Sequence, residues 1–429
     1  MDRRRFLLSS ASAGIVSVPG LARALAPGQA TVAPTPALAA KSRVIVIGGG
    51  LAGATVAKYL RLWGDAIDVV LIERERRYLS PIMSSLVLTG QRTMGSLTFG
   101  YAALRDKYGV RVIHDDVIDV DPVSAAVTLA SGRRLVADRV VMAPGIDFDP
   151  VPGLSDPDRM PHAWKGGAQV TLLRQQLAAM PSNGVAVLAI PKVPYRCPPG
   201  PYERACLIAD WMRVHKPRAK LIVLDANPDI VVEVDNFSQA FFGLHAKVID
   251  YRRSTEVISV DTAQMMVHTT GGTIAADVVN LIPRQRAGAL VTRTGLATAT
   301  EGRFAPVDVL SYASTVPGMS KVHVIGDSSA TTQPKAGHIG NQEAKVCADA
   351  LARILSGGQP DPAPVTNSAC FSTITMTQAS WLTVVFQYDP ATRTMLPALP
   401  SFAASTGWNG ENFSQMNTWF GALTADTFA

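Results

Sequence analysis

The sequence is short of charge and of long apolar runs, and each shortage excludes a class of protein. Charged residues make up 17% of the 429 residues, and no segment concentrates lysine and arginine as a nucleic-acid partner would require. Beyond the amino-terminal segment there is no apolar run of about 18 residues or more, so no membrane-spanning helix is expected. Hydrophobic residues still make up 47% of the chain, enough for two or three domains with packed cores.

The amino-terminal segment has the form of a targeting leader and begins MDRRRFLLSSASAGIVSVPG. Paired arginines precede Phe6 and Leu7, and a weakly apolar stretch of small residues follows, which is typical of a twin-arginine signal. We therefore expect residues 1–40 to be a signal peptide that directs the folded protein to the periplasm. A disordered basic tail is the alternative interpretation.

Cysteine is also scarce. The four cysteines, Cys197, Cys206, Cys347 and Cys370, allow three complete pairings, and the sequence alone does not choose among them. Cys347 lies on the apolar stripe of a predicted helix, and Cys206 lies in another predicted helix, so both are expected in the core. Cys197 and Cys370 lie in loop-like contexts, which favours them as a pair.

The stretch RVIVIGGGLAG predicts a dinucleotide site. An apolar strand leads into Gly48, Gly50 and Gly53, a helix follows, and a second strand ends at Glu73. The glycines permit a tight turn, close approach of a pyrophosphate and close helix–strand packing, and the acid can accept from ribose hydroxyls. Strand, helix, second strand and acid in this order make the prediction much stronger than a glycine motif alone.

Two later signals favour FAD over NAD. The stretch KVHVIGDSSA is an apolar strand that ends in Gly326 and Asp327, the pattern with which two-domain flavoproteins return to the FAD domain and bind the ribityl chain. The stretch VVMAPGIDFDP is similar to another flavoprotein signal, with Pro144 in the place of the usual threonine.

A second nucleotide-type unit begins near residue 184 but lacks the glycine turn, and YRCPPGPYERAC stands in its place. Proline offers no N–H to a pyrophosphate and prevents close approach, so this unit is expected to keep the fold without binding NAD. Because the residue before a proline avoids the helical region, Cys197 is expected to be extended, with a helix starting near Tyr202.

These motifs resemble the flavoprotein subunit of flavocytochrome c sulfide dehydrogenase, within the glutathione-reductase-like flavoproteins. The stretches that carry the resemblance are PHAWKGGAQVTLLRQQLAAM, PYRCPPGPYERAC, GDSSATTQPKAGHIGNQEAK, NSACFSTIT and MNTWFGALTADTFA. The resemblance implies a periplasmic enzyme that oxidises sulfide or polysulfide at a redox disulfide beside FAD and passes electrons to a c-type cytochrome subunit. No Cys-x-x-Cys-His motif is present, so the haem must come from that partner, and no metal site is predicted.

The resemblance also assigns residues. The redox cysteines fall on Cys197 and Cys370, and Glu203 matches an acid near the flavin that could take a proton from the substrate. Lys165 could place positive charge near the flavin or attract an anionic substrate, with an ordinary surface lysine as the alternative.

One departure concerns the attachment of the cofactor. Many members of the family attach FAD through a cysteine shortly after the second strand, where this chain has Ser80 or Pro81. Neither side chain can form a thioether, so non-covalent FAD is expected.

The predicted fold class is α/β, with an FAD-binding Rossmann-like domain, an inserted second Rossmann-like domain and a C-terminal α+β segment. We assign residues 41–160 and 295–360 to the FAD domain, 161–294 to the inserted domain, and 361–429 to a segment that covers the flavin and docks a partner.

Three other functions compete with a sulfide:cytochrome c oxidoreductase: a sulfide:quinone oxidoreductase, an NADH-dependent reductase, and an accessory subunit that serves a sulfur-oxidising complex through its thiols. A quinone enzyme would be expected to have amphipathic membrane-seating helices near its C-terminus, and the proline-containing tail does not suit a long one.

Overall fold

The computed structural model describes residues 41–64 and 66–429, so the predicted signal peptide lies outside the described residues. Single turns of 3₁₀ helix occur at Gly95–Leu97 and Gly326–Ser328, and a π-helical turn occurs at Ala240–Leu244. The α-helices are α1 (Leu51–Trp63), α2 (Ser85–Leu88), α3 (Ala102–Asp106), α4 (Ala168–Ala179), α5 (Gly200–His215), α6 (Val234–Gln239), α7 (Ala289–Arg293), α8 (Gly337–Leu355) and α9 (Gly410–Phe428).

The strands fall into an amino-terminal, a central and a carboxyl-terminal series. They are β1 (Ser42–Ile47), β2 (Ile67–Ile72), β3 (Tyr78–Leu79), β4 (Thr98–Phe99), β5 (Arg111–Ile113), β6 (Val117–Asp121), β7 (Ala126–Leu129), β8 (Arg134–Val136), β9 (Arg139–Met142), β10 (Ile146–Phe148), β11 (Val185–Ile190), β12 (Lys220–Asp225), β13 (Ile249–Arg252), β14 (Val257–Asp261), β15 (Met266–Thr269), β16 (Gly272–Ala275), β17 (Val278–Leu281), β18 (Gln285–Ala287), β19 (Ala305–Asp308), β20 (Ala313–Ser314), β21 (Val322–Val324), β22 (Ser329–Ala330), β23 (Val365–Thr373), β24 (Ala379–Asp389), β25 (Thr394–Pro397) and β26 (Ala403–Ala404).

The largest sheet has the order β22-β19-β20-β21-β9-β1-β2-β5. Its central strands are parallel, and β21, from late in the chain, pairs with β9. The apolar run of β1 is buried on both faces, because Val44 and Val46 pack towards α1 and α8 while Ile45 and Ile47 pack towards β6 and β7. The carboxyl ends of β1, β9 and β21 lie side by side, which is where open parallel sheets bind nucleotides.

A second, fully parallel sheet has the order β13-β12-β11-β17. Helix α5 packs on one of its faces and the antiparallel sheet β14–β16 on the other, as α1 and β6–β8 do in the first sheet. An antiparallel pair, β10 and β18, leads the chain between the two sheets, with Ile146 opposite Ala287.

The carboxyl-terminal residues form an antiparallel sheet of β23–β26 and the helix α9. The end of α9 is fixed to the first domain, because Lys58 Nζ donates to the Asp426 carbonyl at 2.8 Å and the Phe428 ring stacks on Tyr78. The predicted α/β class, with two nucleotide-type units and an α+β segment, is confirmed. The limits of the domains stay a prediction. Throughout the described residues every helix is too short or too polar to cross a bilayer.

Candidate active site

The glycine loop after β1 has the shape that a pyrophosphate requires. Gly48 has a φ of 97°, and a Cβ on Gly53 would lie 1.8 Å from the Gly48 carbonyl oxygen, so neither position accepts a side chain. Gly50 caps α1 without a side chain. The Glu73 carboxylate follows β2 and accepts from the Gly49 N–H at 2.6 Å. These residues therefore form a built cradle at a helix N-terminus.

A cavity of about 870 Å³ runs from this loop, a volume within the range of cofactor sites. Gly50 and Glu73 line it, and so do Cys197, Cys370 and Glu203. Its walls come from the first sheet, from the start of α5 and from the C-terminal segment. The cavity therefore brings the predicted dinucleotide loop and the predicted redox cysteines into one site.

The walls of the cavity also offer polar groups to a bound molecule. The indole N–H of Trp419 is buried at the cavity and has no hydrogen-bond partner among the described residues. Gly326 and Asp327 also line the cavity, and burial raises the pKa of the Asp327 carboxyl while Arg196 and Lys335 oppose the rise. With the glycine cradle, these groups fit FAD: Gly48, Gly50, Gly53 and Glu73 would hold its nucleotide end and Asp327 its ribityl chain.

The position at which many members of the resembled family attach FAD contains no thiol in this chain. Ser80 is fully buried and its hydroxyl donates to the Ile82 carbonyl at 3.3 Å, whereas Pro81 lines the cavity. Cys206 and Cys347 are fully buried in α5 and α8, as expected of core residues. Non-covalent attachment stays a prediction.

The two predicted redox cysteines lie side by side as free thiols. The pKa of Cys197 is raised well above its ordinary value. The largest cause is a hydrogen bond with Cys370, and burial and the nearby Glu203 carboxylate raise the pKa further. A nearby helix N-terminus lowers the pKa of a thiol, but here burial and the neighbouring groups outweigh it. The bridge itself stays a prediction.

Two local expectations about the cysteines are wrong. Cys197 is not extended but left-handed, with a φ of 46°, because its N–H donates to the Lys335 carbonyl and its own carbonyl accepts from the N–H of Gly200. The start of helix α5 at Gly200, in contrast, agrees with the expected start near Tyr202. Cys370 lies in the strand β23 rather than in a loop, paired with Leu382 of β24.

Glu203 is placed to hold a proton beside the thiols. Its side chain is half-buried, and the Thr373 hydroxyl donates to Oε1 at 2.6 Å. Burial raises the pKa of Glu203 to about 7, although the bonds from Thr373 and the charge of Arg204 oppose the rise. A carboxyl with this pKa exchanges its proton near neutral pH, as a general base requires.

Sequence reasoning missed two arginines in this region. Arg204 is buried, donates to the Ala163 carbonyl at 2.9 Å and lies over the Trp164 ring. Arg196 lies 3.9 Å from the Asp327 carboxylate and lines the cavity. Both belong to the motif YRCPPGPYERAC, and the positive charge of that motif could have indicated them.

Three further residues lie on the wall of the cavity or in the structure around it, and both Lys165 and His338 line the cavity. Lys165 lines the cavity, and its Nζ lies 3.5 Å from Asp147. His338 accepts the N–H of Ala369, the residue before Cys370, at 3.0 Å and so supports β23. Trp381 pairs with Phe371 across the sheet and does not line the cavity.

Two family models match the chain. Residues 170–283 match the central region of the sulfide dehydrogenase (flavocytochrome c) flavoprotein chain, and residues 42–180 match the pyridine nucleotide-disulphide oxidoreductases. The fold is therefore of the type with two dinucleotide-binding domains, and its amino-terminal part is similar to the FAD-dependent oxidoreductases of that type. Within this class, the match over residues 170–283 confirms the resemblance to the flavocytochrome c flavoprotein chain.

Curated and solved relatives agree with this class. The chain is 26% identical over 185 residues to the mitochondrial sulfide:quinone oxidoreductase of Mus musculus, covering 42% of this chain and 41% of that protein. It is 29% identical over 135 residues to the ferredoxin–NAD(+) reductase component of the p-cumate 2,3-dioxygenase system of Pseudomonas putida, covering 31% of each. These matches span less than half the length of either protein.

Among solved structures, the sulfide:quinone oxidoreductase of Aquifex aeolicus is similar over 90% of this chain and 91% of that chain, with a TM-score of 0.72 and 17% identity. At this identity the likeness shows the fold.

Proposed function

We propose that the protein is the flavoprotein subunit of a periplasmic sulfide:cytochrome c oxidoreductase with non-covalent FAD. The observation that carries the proposal is the pair of adjacent thiols, Cys197 and Cys370, in the same cavity as the glycine cradle. The family match over residues 170–283 supports the substrate and the acceptor.

The chain's own residues supply a sulfur acceptor and a base. In the disulfide form of the pair, hydrosulfide attacks one sulfur, so a new S–S bond forms, the Cys197–Cys370 bond breaks, and a persulfide and a thiolate result. The Glu203 carboxylate takes the proton that hydrogen sulfide loses when it becomes the nucleophile. When bound, FAD supplies an acceptor for two electrons that can be released singly to a haem.

A test of the acceptor uses the purified protein with its bound flavin. We expect sulfide to bleach the flavin under anaerobic conditions, and a c-type cytochrome to reoxidise it faster than a short-chain quinone does. The activity should fractionate with soluble periplasmic proteins. Activity found only in washed membranes supplied with quinone would contradict the proposal.

The structural likeness to a sulfide:quinone oxidoreductase favours quinone as the second candidate acceptor. The same experiment separates the two, because preferential reoxidation by quinone selects this candidate. Absence of bleaching by sulfide, together with thiol-dependent activation of a separate sulfur-oxidising enzyme, would instead favour the accessory role.

A further inference from the structure

The two parallel sheets each present an acid at the same topological position, in opposite environments. In the first sheet, Glu73 follows β2 and lines the cavity. In the second sheet, Asp225 ends β12 and is completely buried. The acid that a second nucleotide would need is thus present in the sequence but enclosed by the protein.

The carboxylate of Asp225 is bonded to groups of the protein itself. The hydroxyls of Tyr202 and Tyr251 both donate to Oδ2 at 2.8 Å, and the Asn227 N–H donates to Oδ1 at 2.9 Å. A buried carboxylate requires such donors, because water is not available to it. These bonds leave Asp225 committed to the structure and not to a ligand.

One of these two tyrosines lies next to the residues of the proposed redox site. Tyr202 lies in the first turn of α5 and directly precedes Glu203. In the same turn the Gly200 N–H donates to the Cys197 carbonyl at 2.9 Å. A Cβ on Gly200 would lie 2.9 Å from the Trp164 ring, so this turn has little room to move. Tyr251, in contrast, lies on β13, the edge strand next to β12.

We propose that Asp225 is a positioning residue for the redox site: through the Tyr202 hydroxyl it fixes the first turn of α5, and with it Cys197 and Glu203. The inference deepens the proposed function and rests on it for the reaction, although the placement of the thiol can be tested without sulfide. An acid whose position is typical of nucleotide binding holds a cysteine loop here instead.

Two tyrosine variants provide a matched test. Tyr202→Phe and Tyr251→Phe each remove one hydroxyl bond to the same oxygen of Asp225, but only the first removes a bond to α5. Each purified holoprotein is reduced and treated with iodoacetamide, and alkylation of Cys197 is followed by peptide mass spectrometry. Flavin content, the melting temperature and the rate of flavin bleaching by sulfide are measured in parallel.

We expect Tyr202→Phe to raise the alkylation rate of Cys197 roughly fivefold, because the loop opens more often. Its flavin bleaching by sulfide should be slower by roughly tenfold or more, because small displacements of reacting groups are costly. Tyr251→Phe should stay close to the unsubstituted protein in both rates. Equal effects of the two variants, or no effect of Tyr202→Phe on alkylation, would overturn the inference.

The two proposals fail in different ways. If sulfide bleaches no protein, including the unsubstituted one, while Tyr202→Phe alone alkylates faster, the proposed function is wrong and the positioning role stands. If Tyr202→Phe does not fold, Asp225→Asn is compared with Tyr251→Phe, because the amide weakens both tyrosine bonds. Identical alkylation in these two variants would then refute the role of Asp225.

Discussion

At the scale of single residues, the two thiols are held by different means. Cys197 has a left-handed backbone, which a residue with a side chain adopts at a cost of about 1–2 kcal/mol, and its loop is fixed by bonds to Lys335 and Gly200. Cys370 is held by the regular pairing of β23 with β24. A thiol on a strained backbone thus lies beside one on an unstrained backbone. The strained residue is Cys197, in the turn that follows β11 of the second sheet.

Replacement of either redox cysteine tests the sulfur acceptor. Cys197→Ser and Cys370→Ser should each retain FAD and a near-normal melting temperature, but slow flavin bleaching by sulfide by orders of magnitude, because no disulfide can form. Cys206→Ser is the matched control, since Cys206 is buried in the same helix region without lining the cavity. It should lose some stability and keep the reaction. Normal bleaching by both redox variants would exclude the mechanism.

The proton of Glu203 should be visible in the stability of the protein. Burial raises its pKa from 4.5 to about 7, so the folded chain binds this proton more tightly than the unfolded chain does. The resulting stabilisation is present at low pH and is lost as the pH rises through about 7. When the pH is raised from about 5 to about 8, the unsubstituted protein should therefore lose about 2–3 kcal/mol of unfolding free energy that Glu203→Gln does not lose.

Chemical denaturation of the two proteins at both pH values measures this difference. Comparing each protein with itself cancels groups that titrate in both, such as Glu343, whose pKa is also raised to about 7 by burial. Parallel changes in the two proteins would show that Glu203 is not the titrating group.

At the scale of single elements, the glycine-containing helices allow a paired test of the FAD cradle. Gly53→Ala places a Cβ 1.8 Å from a backbone oxygen at the start of α1, so the cradle must deform. Gly421→Ala in α9 meets nothing within 4 Å and should gain about 0.5–1 kcal/mol from helix propensity. Flavin absorbance per chain after gel filtration should fall in Gly53→Ala and stay unchanged in Gly421→Ala. Full flavin in both would contradict the assignment of the cradle.

The second sheet should give no reaction with NADH. The turn from β11 to α5 contains Pro198 and Pro199, which have no N–H to offer a phosphate, and Asp225 is bonded to two tyrosines. Neither NADH nor NADPH should bleach the flavin in a stopped-flow experiment, while dithionite serves as the positive control. Rapid bleaching at micromolar NADH would show that this sheet still binds a nucleotide.

The elements that the sequence predicted best are those with strong local signals. The run from Val44 to Gly53 dictates strand, turn and helix, because an apolar run and three glycines leave few alternatives. The strand around Cys370 was predicted to be a loop, because serine, threonine and asparagine make up much of the stretch NSACFSTIT. Its pairing with the apolar strand β24 determines its structure, and that pairing is not visible locally.

At the scale of the whole molecule, the cavity joins parts of the chain that lie far apart in sequence. Its lining includes Gly48 of the first sheet, Cys197 of the second unit, Gly326 near β21, and Cys370 and Trp419 of the C-terminal segment. The order of these signals along the chain predicted one flavin site, because the motifs follow each other in the usual order. The side-by-side contact of the thiols and the burial of Asp225 depend on packing between distant elements, which no local pattern encodes.

A cofactor that bridges these parts should stabilise all of them together. If FAD is bound without a covalent bond, acid precipitation should leave the yellow colour in the supernatant. After removal of the flavin under milder conditions, the melting temperature should rise with each addition of FAD, since a ligand present at 100 times its Kd stabilises by about 2.7 kcal/mol. Riboflavin, which lacks the pyrophosphate that the glycine cradle fits, is the control and should produce little rise. Flavin that stays with the acid-denatured polypeptide would show a covalent bond. Because there is no cysteine near Pro81, that bond would have to be at another site.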